Sequence, residues 1–315
     1  MKVKPDFFII GAAKSGTTSL YEYLKQSKDI YFSPIKEPNY FSDDIDVSEF
    51  SKTYRRNTFL AVDQYFKENT LHDIPLTFIR NKDYYEQLFS RGENYKIRGE
   101  ASTSYLYSKT AAKNIYNFNR DSKIIAILRN PMGRAFSHYQ MAVRYGHTNL
   151  DFKNAVKKDH SRDVKGWGIS ELFIELGLYF EQLERYFKIF PKEQIKIFLF
   201  DDLKSDPQKF VNECCNFIGI SEFELDNKSA HNVKETPEYI KLNYFLTKSG
   251  IKSLVRKVLP KSTTDELSKS FYKKSKIRLN REDFNFLLSF YKEDMEKTAS
   301  LLNLDLSYWL NYDNL

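Results

Sequence analysis

A chain of 315 residues, 41% apolar and 29% charged, is long enough to bury a core and has the composition of a soluble globular protein. Its net charge of +7, from 49 Lys and Arg against 42 Asp and Glu, suits an anionic ligand; with no block of five or more like charges, it gives no support to nucleic-acid binding. The longest apolar runs have the length of strands, and the N-terminal one leads straight into a loop motif, so neither a signal peptide nor a transmembrane helix is expected.

In chain order, short apolar or alternating runs predict strands at Phe7–Ile10, Lys96–Gly99, Lys123–Leu128 and Gln194–Phe200. Helical spacing predicts helices at Thr17–Gln26, Asp83–Phe89, Pro131–Tyr145, Ile169–Phe187 and Pro207–Ile218. Strands alternating with helices point to an α/β, P-loop-like three-layer fold with a central, mainly parallel sheet. Cys214 and Cys215 are neighbours in one predicted helix and make a poor disulfide pair, which fits a reducing, cytoplasmic setting. From Glu222 onward the chain is Lys-rich and helical, broken at Pro237 and Pro260, with an apolar stripe at Phe284, Leu287, Leu288, Tyr291 and Met295. The expected organisation is one domain over residues 1–315: an α/β core in 1–220 and a helical extension in 221–315 packed on it.

The first segment with chemistry is FFIIGAAKSGTTSLYEYL. Gly11 and Gly16 have the spacing of a P-loop, but Thr17-Thr18 stand where a nucleoside triphosphatase carries Lys then Ser or Thr, and the lysine lies inside the loop as Lys14. A strand feeding a tight turn and a helix N-terminus aims backbone N–H groups and the helix dipole at an anion. Lys14 adds a full charge, and Ser15, Thr17 and Thr18 add hydroxyl donors. The plainer reading is a strand–turn–helix with polar turn residues. Asp201-Asp202 is the only acidic pair placed to help hold magnesium, so a metal-free transfer is expected.

The second segment is KIIAILRNPMGRAFSHYQ. Arg129 ends an apolar strand, Pro131 suits the first helical position, and Ser137 lies about two turns into the helix. An arginine there offers a bidentate grip on phosphate and the serine adds a hydroxyl. The spacing is common by chance when alone. Paired with the first loop, it describes a nucleotide phosphorylated at both ends of its ribose.

IIGAAKSGTTSLYEYL and LRNPMGRAFSHY resemble the donor-binding segments of sulfotransferases that use PAPS, 3′-phosphoadenosine-5′-phosphosulfate. GLYFEQLERYFKIFPKEQIKIFLFDDLKSDP is similar to the segment that follows in bacterial and heparan-sulfate-type carbohydrate members. The resemblance implies that Lys14, Ser15, Gly16, Thr17 and Thr18 hold the 5′-phosphosulfate, and that Arg129 and Ser137 hold the 3′-phosphate. In SPIKEPNYFS, Glu37 lies between Lys36 and Pro38, with Tyr40 and Phe41 soon after; Pro38 biases it to an extended backbone. This is similar to the glycosaminoglycan sulfotransferase element whose glutamate is the catalytic base. By that likeness Glu37 deprotonates the acceptor, while Lys14 steadies charge on the bridging oxygen. Sulfotransferases of phenols and steroids use a histidine instead, and none of His72, His138, His147, His160 or His231 sits in a segment resembling theirs.

RGEASTSYLYS resembles a further family segment. Glu100 matches, but Ala101 stands where many glycan-sulfating members have lysine, a gap that Lys36 could fill. Glu100 is read as an acceptor contact or a second acid–base group, or else as the partner of Arg98. Trp167, in GWG, reads as a packing residue or an acceptor platform, and His231-Asn232 as a surface loop. The implied reaction passes the sulfuryl group of PAPS, without a metal, to a hydroxyl of a saccharide or glycolipid, leaving 3′,5′-ADP. The implied partners are the nucleotide donor and that acceptor. Two rivals stand beside it: a P-loop kinase using ATP and magnesium, and a non-catalytic nucleotide- or glycan-binding protein.

Overall fold

The run FFIIG forms β1 (Phe7–Gly11), with all five residues buried. The computed structural model describes residues 3–68, 71–226, 235–252, 255, 263, 271–275 and 277–314. The other strands placed near the site are β2 (Ile30–Phe32), β3 (Ile35–Glu37), β4 (Ile74–Leu76), β5 (Ile97–Ala101), β6 (Lys123–Leu128) and β7 (Ile195–Leu199). A five-stranded sheet runs β2-β5-β1-β6-β7, and every pairing in it is parallel. The register sets Phe8 opposite Glu100 on one side and Ile124 on the other. The chain fills one side of β1 up to β5 and the other side from β6 onward. The loops leaving β5, β1 and β6 therefore meet at one carboxyl edge, where open α/β sheets take their ligands.

The chain divides into two compact units. The first takes in Met1–Phe50, Arg55–Arg129 and Tyr179–His231, and contains the whole sheet. On one face of this sheet Phe7 and Ile9 pack with Leu20, Tyr21 and Leu24, and with Phe210, Val211, Cys214, Cys215 and Ile218. Both cysteines are free and buried there, and burial pushes the Cys215 thiol up to about 11. On the other face Phe8 meets Phe41 and Tyr105 edge-on, at 5.6 and 6.4 Å between ring centroids. The Tyr186 hydroxyl closes that layer by donating to the Tyr105 carbonyl at 2.9 Å. Burial on both faces explains why the central β1 and β6 read as nearly continuous apolar runs. The expected α/β fold with a central parallel sheet and flanking helices is the one observed.

The second unit comprises Ser51–Tyr54, Asn130–Leu178 and Asn232–Leu315. Its helices include Pro131–Tyr145, Phe152–His160, Ile240–Lys248 and Arg281–Leu302. The last buries Phe284, Leu287, Tyr291 and Met295, the expected stripe apart from a half-buried Leu288. Pro260, expected to break the helical region, lies outside the described residues. No helix among the described residues is long and apolar enough to cross a membrane.

The helix expected over Ile169–Phe187 is not continuous. Only Tyr179–Phe187 is α-helical, preceded by a 3₁₀ turn at Glu175–Gly177. The carboxylate of Asp159 accepts from the N–H groups of Glu171 (2.8 Å) and Phe173 (3.2 Å), and Leu172 between them is left-handed at φ 54°. A buried side chain has taken the donors that a helix would need, and it overrides the apolar spacing.

Candidate active site

β1 ends at Gly11, and residues 12–16 turn into the helix Thr17–Leu24. Gly16 precedes that helix at φ 95°, with no side-chain cap hydrogen bond. A Cβ there would also lie 2.7 Å from Leu203 Cδ2 and 3.0 Å from Phe200 Cδ2, so conformation and space both demand glycine. The first-turn N–H groups are thus presented at the sheet edge without a capping side chain in front of them. Ser15 is fully buried, and its hydroxyl has no hydrogen-bond partner among the described residues. Such a group is costly unless something accepts from it, and an anionic oxygen in the loop would do so. Thr17 is buried and Thr18 is exposed.

β6 lies beside β1, and Ala12 N–H continues the pairing to the Ile127 carbonyl at 2.9 Å. This adjacency carries Arg129, just past the end of β6, to the first loop. Its Nη1 donates to the Lys14 carbonyl at 3.3 Å, and its guanidinium stands 4.6 Å from the Phe200 ring centroid. Stacking and hydrogen bonding hold the cation before any ligand arrives. Ser137 belongs to the second unit, half-buried on the helix Pro131–Tyr145. The Asn130 side chain caps that helix by accepting from Met132 N–H at 3.0 Å.

Lys36 and Glu37 end β3, which pairs in parallel with β4. Lys36 Nζ donates to Thr18 Oγ1 at 2.7 Å and lies 3.7 Å from Glu37 Oε1. The other carboxylate oxygen, Oε2, accepts from the Thr103 hydroxyl at 3.0 Å and from Thr103 N–H at 3.4 Å. The structure therefore brings together Thr18 of the first loop's helix, Lys36 and Glu37, and in the same unit Lys14 and Arg129. Glu37 is extended, as Pro38 implies, at the end of β3.

Glu100 is enclosed, only 1% exposed. Tyr85 donates to its Oε2, and Ser102 donates to Oε1 at 2.8 Å. The alternative pairing with Arg98 does not form: Arg98 engages Asp6, Nε to Oδ2 at 2.9 Å. Burial pushes the Glu100 carboxyl up to about 7 against the hydrogen bonds from Tyr85, Tyr105 and Ser102, with the negative charge of Glu37 adding to the rise. The folded chain then keeps a proton between the ordinary value of 4.5 and about 7, where the unfolded chain has lost it. The stabilisation is complete below 4.5 and is lost as pH rises through about 7, a change of about 3 kcal/mol. Urea midpoints at pH 5, 6, 7 and 8 are expected to fall across that window and to flatten in Glu100→Gln. An unchanged slope in the variant would assign the dependence elsewhere.

The described histidines face carboxylates: His72 meets Glu68, His138 and His147 both meet Glu171, and His160 meets Glu175. His231-Asn232 lies outside the described residues. Trp167 is half-buried in the second unit, bridged to Ser170.

A family model described as "Sulfotransferase domain" matches residues 4–299. The chain belongs to the sulfotransferase family. Among curated relatives, this sulfotransferase is 23% identical to the membrane-associated sulfotransferase kil1 of Dictyostelium discoideum, over 76% of the chain and 63% of that protein. It is 25% identical to the human bifunctional heparan sulfate N-deacetylase/N-sulfotransferase 3, over 98% of the chain but 31% of that protein. The chain thus spans less than two thirds of either relative. Among solved structures, a sulfotransferase from Alicyclobacillus acidocaldarius superposes with a TM-score of 0.68 at 28% identity, covering 98% of this chain and 99% of that one. The sulfotransferase domain of the curacin biosynthetic pathway superposes at 0.50 with 14% identity, a likeness of fold alone.

Two residues that touch the groups singled out above escape the sequence reading. Thr103 lies inside the segment singled out for Glu100, in the hydroxyl run Ser102-Thr103-Ser104, which was the available signal. Phe200 is an ordinary apolar residue after a strand, and nothing in the sequence marks its stacking role.

Proposed function

We propose that this sulfotransferase moves the sulfuryl group of PAPS to a hydroxyl of a saccharide acceptor, with Glu37 as general base. One observation carries the proposal: a single ammonium, Lys36 Nζ, touches both the hydroxyl of Thr18 on the first loop's helix and the carboxylate of Glu37. That contact sets a proton acceptor at the edge of an anion cradle, the juxtaposition that attack on a phosphosulfate requires. The residues fit such a donor. The buried Ser15 hydroxyl needs an acceptor, the uncapped helix start at Gly16 favours negative charge, and Arg129 is stacked beside the loop.

The bound donor supplies the activated sulfuryl group and its leaving phosphate. Lys14 and the helix start neutralise charge on the 5′ side, while Thr17 and Thr18 offer hydroxyl donors. Arg129 is assigned to the 3′-phosphate, the group to which the resemblance also assigns Ser137. Binding energy at that non-reacting group is then spent on orientation. Glu37 takes the proton of the attacking hydroxyl. Lys36 stands 3.7 Å from this carboxylate and takes the place of the lysine absent at Ala101. Glu100, enclosed behind Tyr85 and Ser102, supports the acceptor side rather than lining it openly.

The saccharide acceptor rests on the heparan sulfate enzymes among the relatives, including the mouse heparan sulfate glucosamine 3-O-sulfotransferase 3B1, 24% identical over 71% of the chain and 48% of that protein. The cytoplasmic reading rests on the two buried free thiols. Calorimetric titration without metal, first with 3′,5′-ADP and then with ATP, tests the donor assignment. Preference for 3′,5′-ADP is expected and leads to screening heparosan oligosaccharides with radiolabelled PAPS. Preference for ATP would favour a kinase and reject the proposal.

A further inference from the structure

We infer that Thr103 is a positioning residue for Glu37. It holds one carboxylate oxygen so that the other, Oε1, receives the acceptor's proton. The inference rests on the reading of Glu37 as base and adds to it the atom that acts and the group that aims it.

Both donors of Thr103, the hydroxyl at 3.0 Å and the N–H at 3.4 Å, converge on Oε2. Among the described residues, Oε1 keeps only the longer approach of Lys36 Nζ, at 3.7 Å. Thr103 stands at the start of the helix Ser104–Tyr107, yet its hydroxyl makes no cap hydrogen bond there. A threonine in that place would ordinarily cap the helix. Here its hydroxyl is turned to Glu37 instead.

The main chain of Glu37 is fixed independently. Its carbonyl accepts from Asn39 Nδ2 at 2.8 Å and from Thr77 N–H at 3.0 Å. Asn39 is fully buried and left-handed at φ 48°, and its own N–H donates to Ser102 Oγ at 3.1 Å. Ser102 N–H in turn donates to the Ile9 carbonyl of β1 at 3.1 Å. Backbone and side chain of Glu37 are thus both tied to the residues that follow β5. A fixed main chain leaves the side-chain torsions of Glu37 free, and the two Thr103 donors restrain them at the carboxylate. A β-branched residue is suited to this because its own χ1 is stiff.

The test compares Thr103→Val, which keeps the shape and loses the hydroxyl, with Thr103→Ser, which keeps the hydroxyl. Each is made alone and combined with Glu37→Gln. The readouts are kcat and KM for release of inorganic sulfate from radiolabelled PAPS with water as acceptor, together with 3′,5′-ADP affinity by calorimetry. Thr103→Val is expected to lower kcat about ten-fold, the worth of a hydrogen bond to a charged group. KM and nucleotide affinity should stay level, Thr103→Ser should restore kcat, and the loss should vanish in the Glu37→Gln background. An unchanged kcat in Thr103→Val, or a loss repeated in the Glu37→Gln background, overturns the inference. Full activity of Glu37→Gln by itself is a different result: it removes the base assignment, and the inference with it. A fall in nucleotide affinity matching the fall in kcat would make Thr103 a structural residue and likewise overturn it.

Discussion

Glu37→Gln is expected to slow sulfuryl transfer by about 10²–10⁴-fold, the usual worth of a general base, while 3′,5′-ADP binds as before. The amide keeps the volume of the side chain and an oxygen for the Thr103 donors, but it cannot take a proton. The effect should therefore fall on kcat and spare the donor's KM, since Glu37 reaches the loop's helix only through Lys36. Single-turnover measurement with saturating PAPS separates the two. A loss smaller than ten-fold would mean that the hydroxyl is deprotonated by another group. Comparing Glu37→Gln with Glu37→Asp refines the reading, because a shorter carboxylate keeps the charge but withdraws from Thr103.

Arg129→Ala is expected to weaken 3′,5′-ADP binding about 100-fold, or about 2.7 kcal/mol, and to leave ATP binding nearly unchanged. The difference follows from the assignment of Arg129 to the 3′-phosphate, which ATP lacks. Its bond to the Lys14 carbonyl is one of several supports of the loop, so the 5′ side should loosen only slightly. Arg129→Lys should recover little, because a lysine cannot make a two-pronged grip on phosphate and stack in the same way on Phe200. Calorimetry with adenosine 5′-phosphosulfate is the control. Equal losses for ligands with and without the 3′-phosphate would show that the arginine serves the loop and not the ligand.

Much of this architecture is legible in the chain because punctuation and period agree. Pro131–Tyr145 and Pro207–Ile218 are found with the bounds expected, each with Asn or Asp before a first-turn proline and a glycine after the end. Lys123–Leu128 is likewise as expected, a six-residue run with five residues fully enclosed. The two segments singled out for phosphate stand out because glycine spacing and a strand-end arginine are local features, and β1–β6 adjacency then carries Arg129 to the first loop.

What the sequence hides is non-local. β3 and β4 have three residues each, too short for any period to register, and their pairing joins residues 39 apart, Ile35 with Ile74. The preference of Arg98 for Asp6 over Glu100 depends on two distant stretches meeting at the base of β5. Leu172 and Leu176 keep helical spacing, yet Asp159 claims the backbone between Glu171 and Phe173. Thr103 is one hydroxyl in a run of three, and only geometry tells which of them faces Glu37.

Because the loops after β1, β5 and β6 leave from the same rim of the sheet, the opposite rim carries none of the groups assigned to chemistry. Asp121, exposed in the turn that enters β6, lies there. A handle attached at that turn leaves the edge that carries those groups unobstructed.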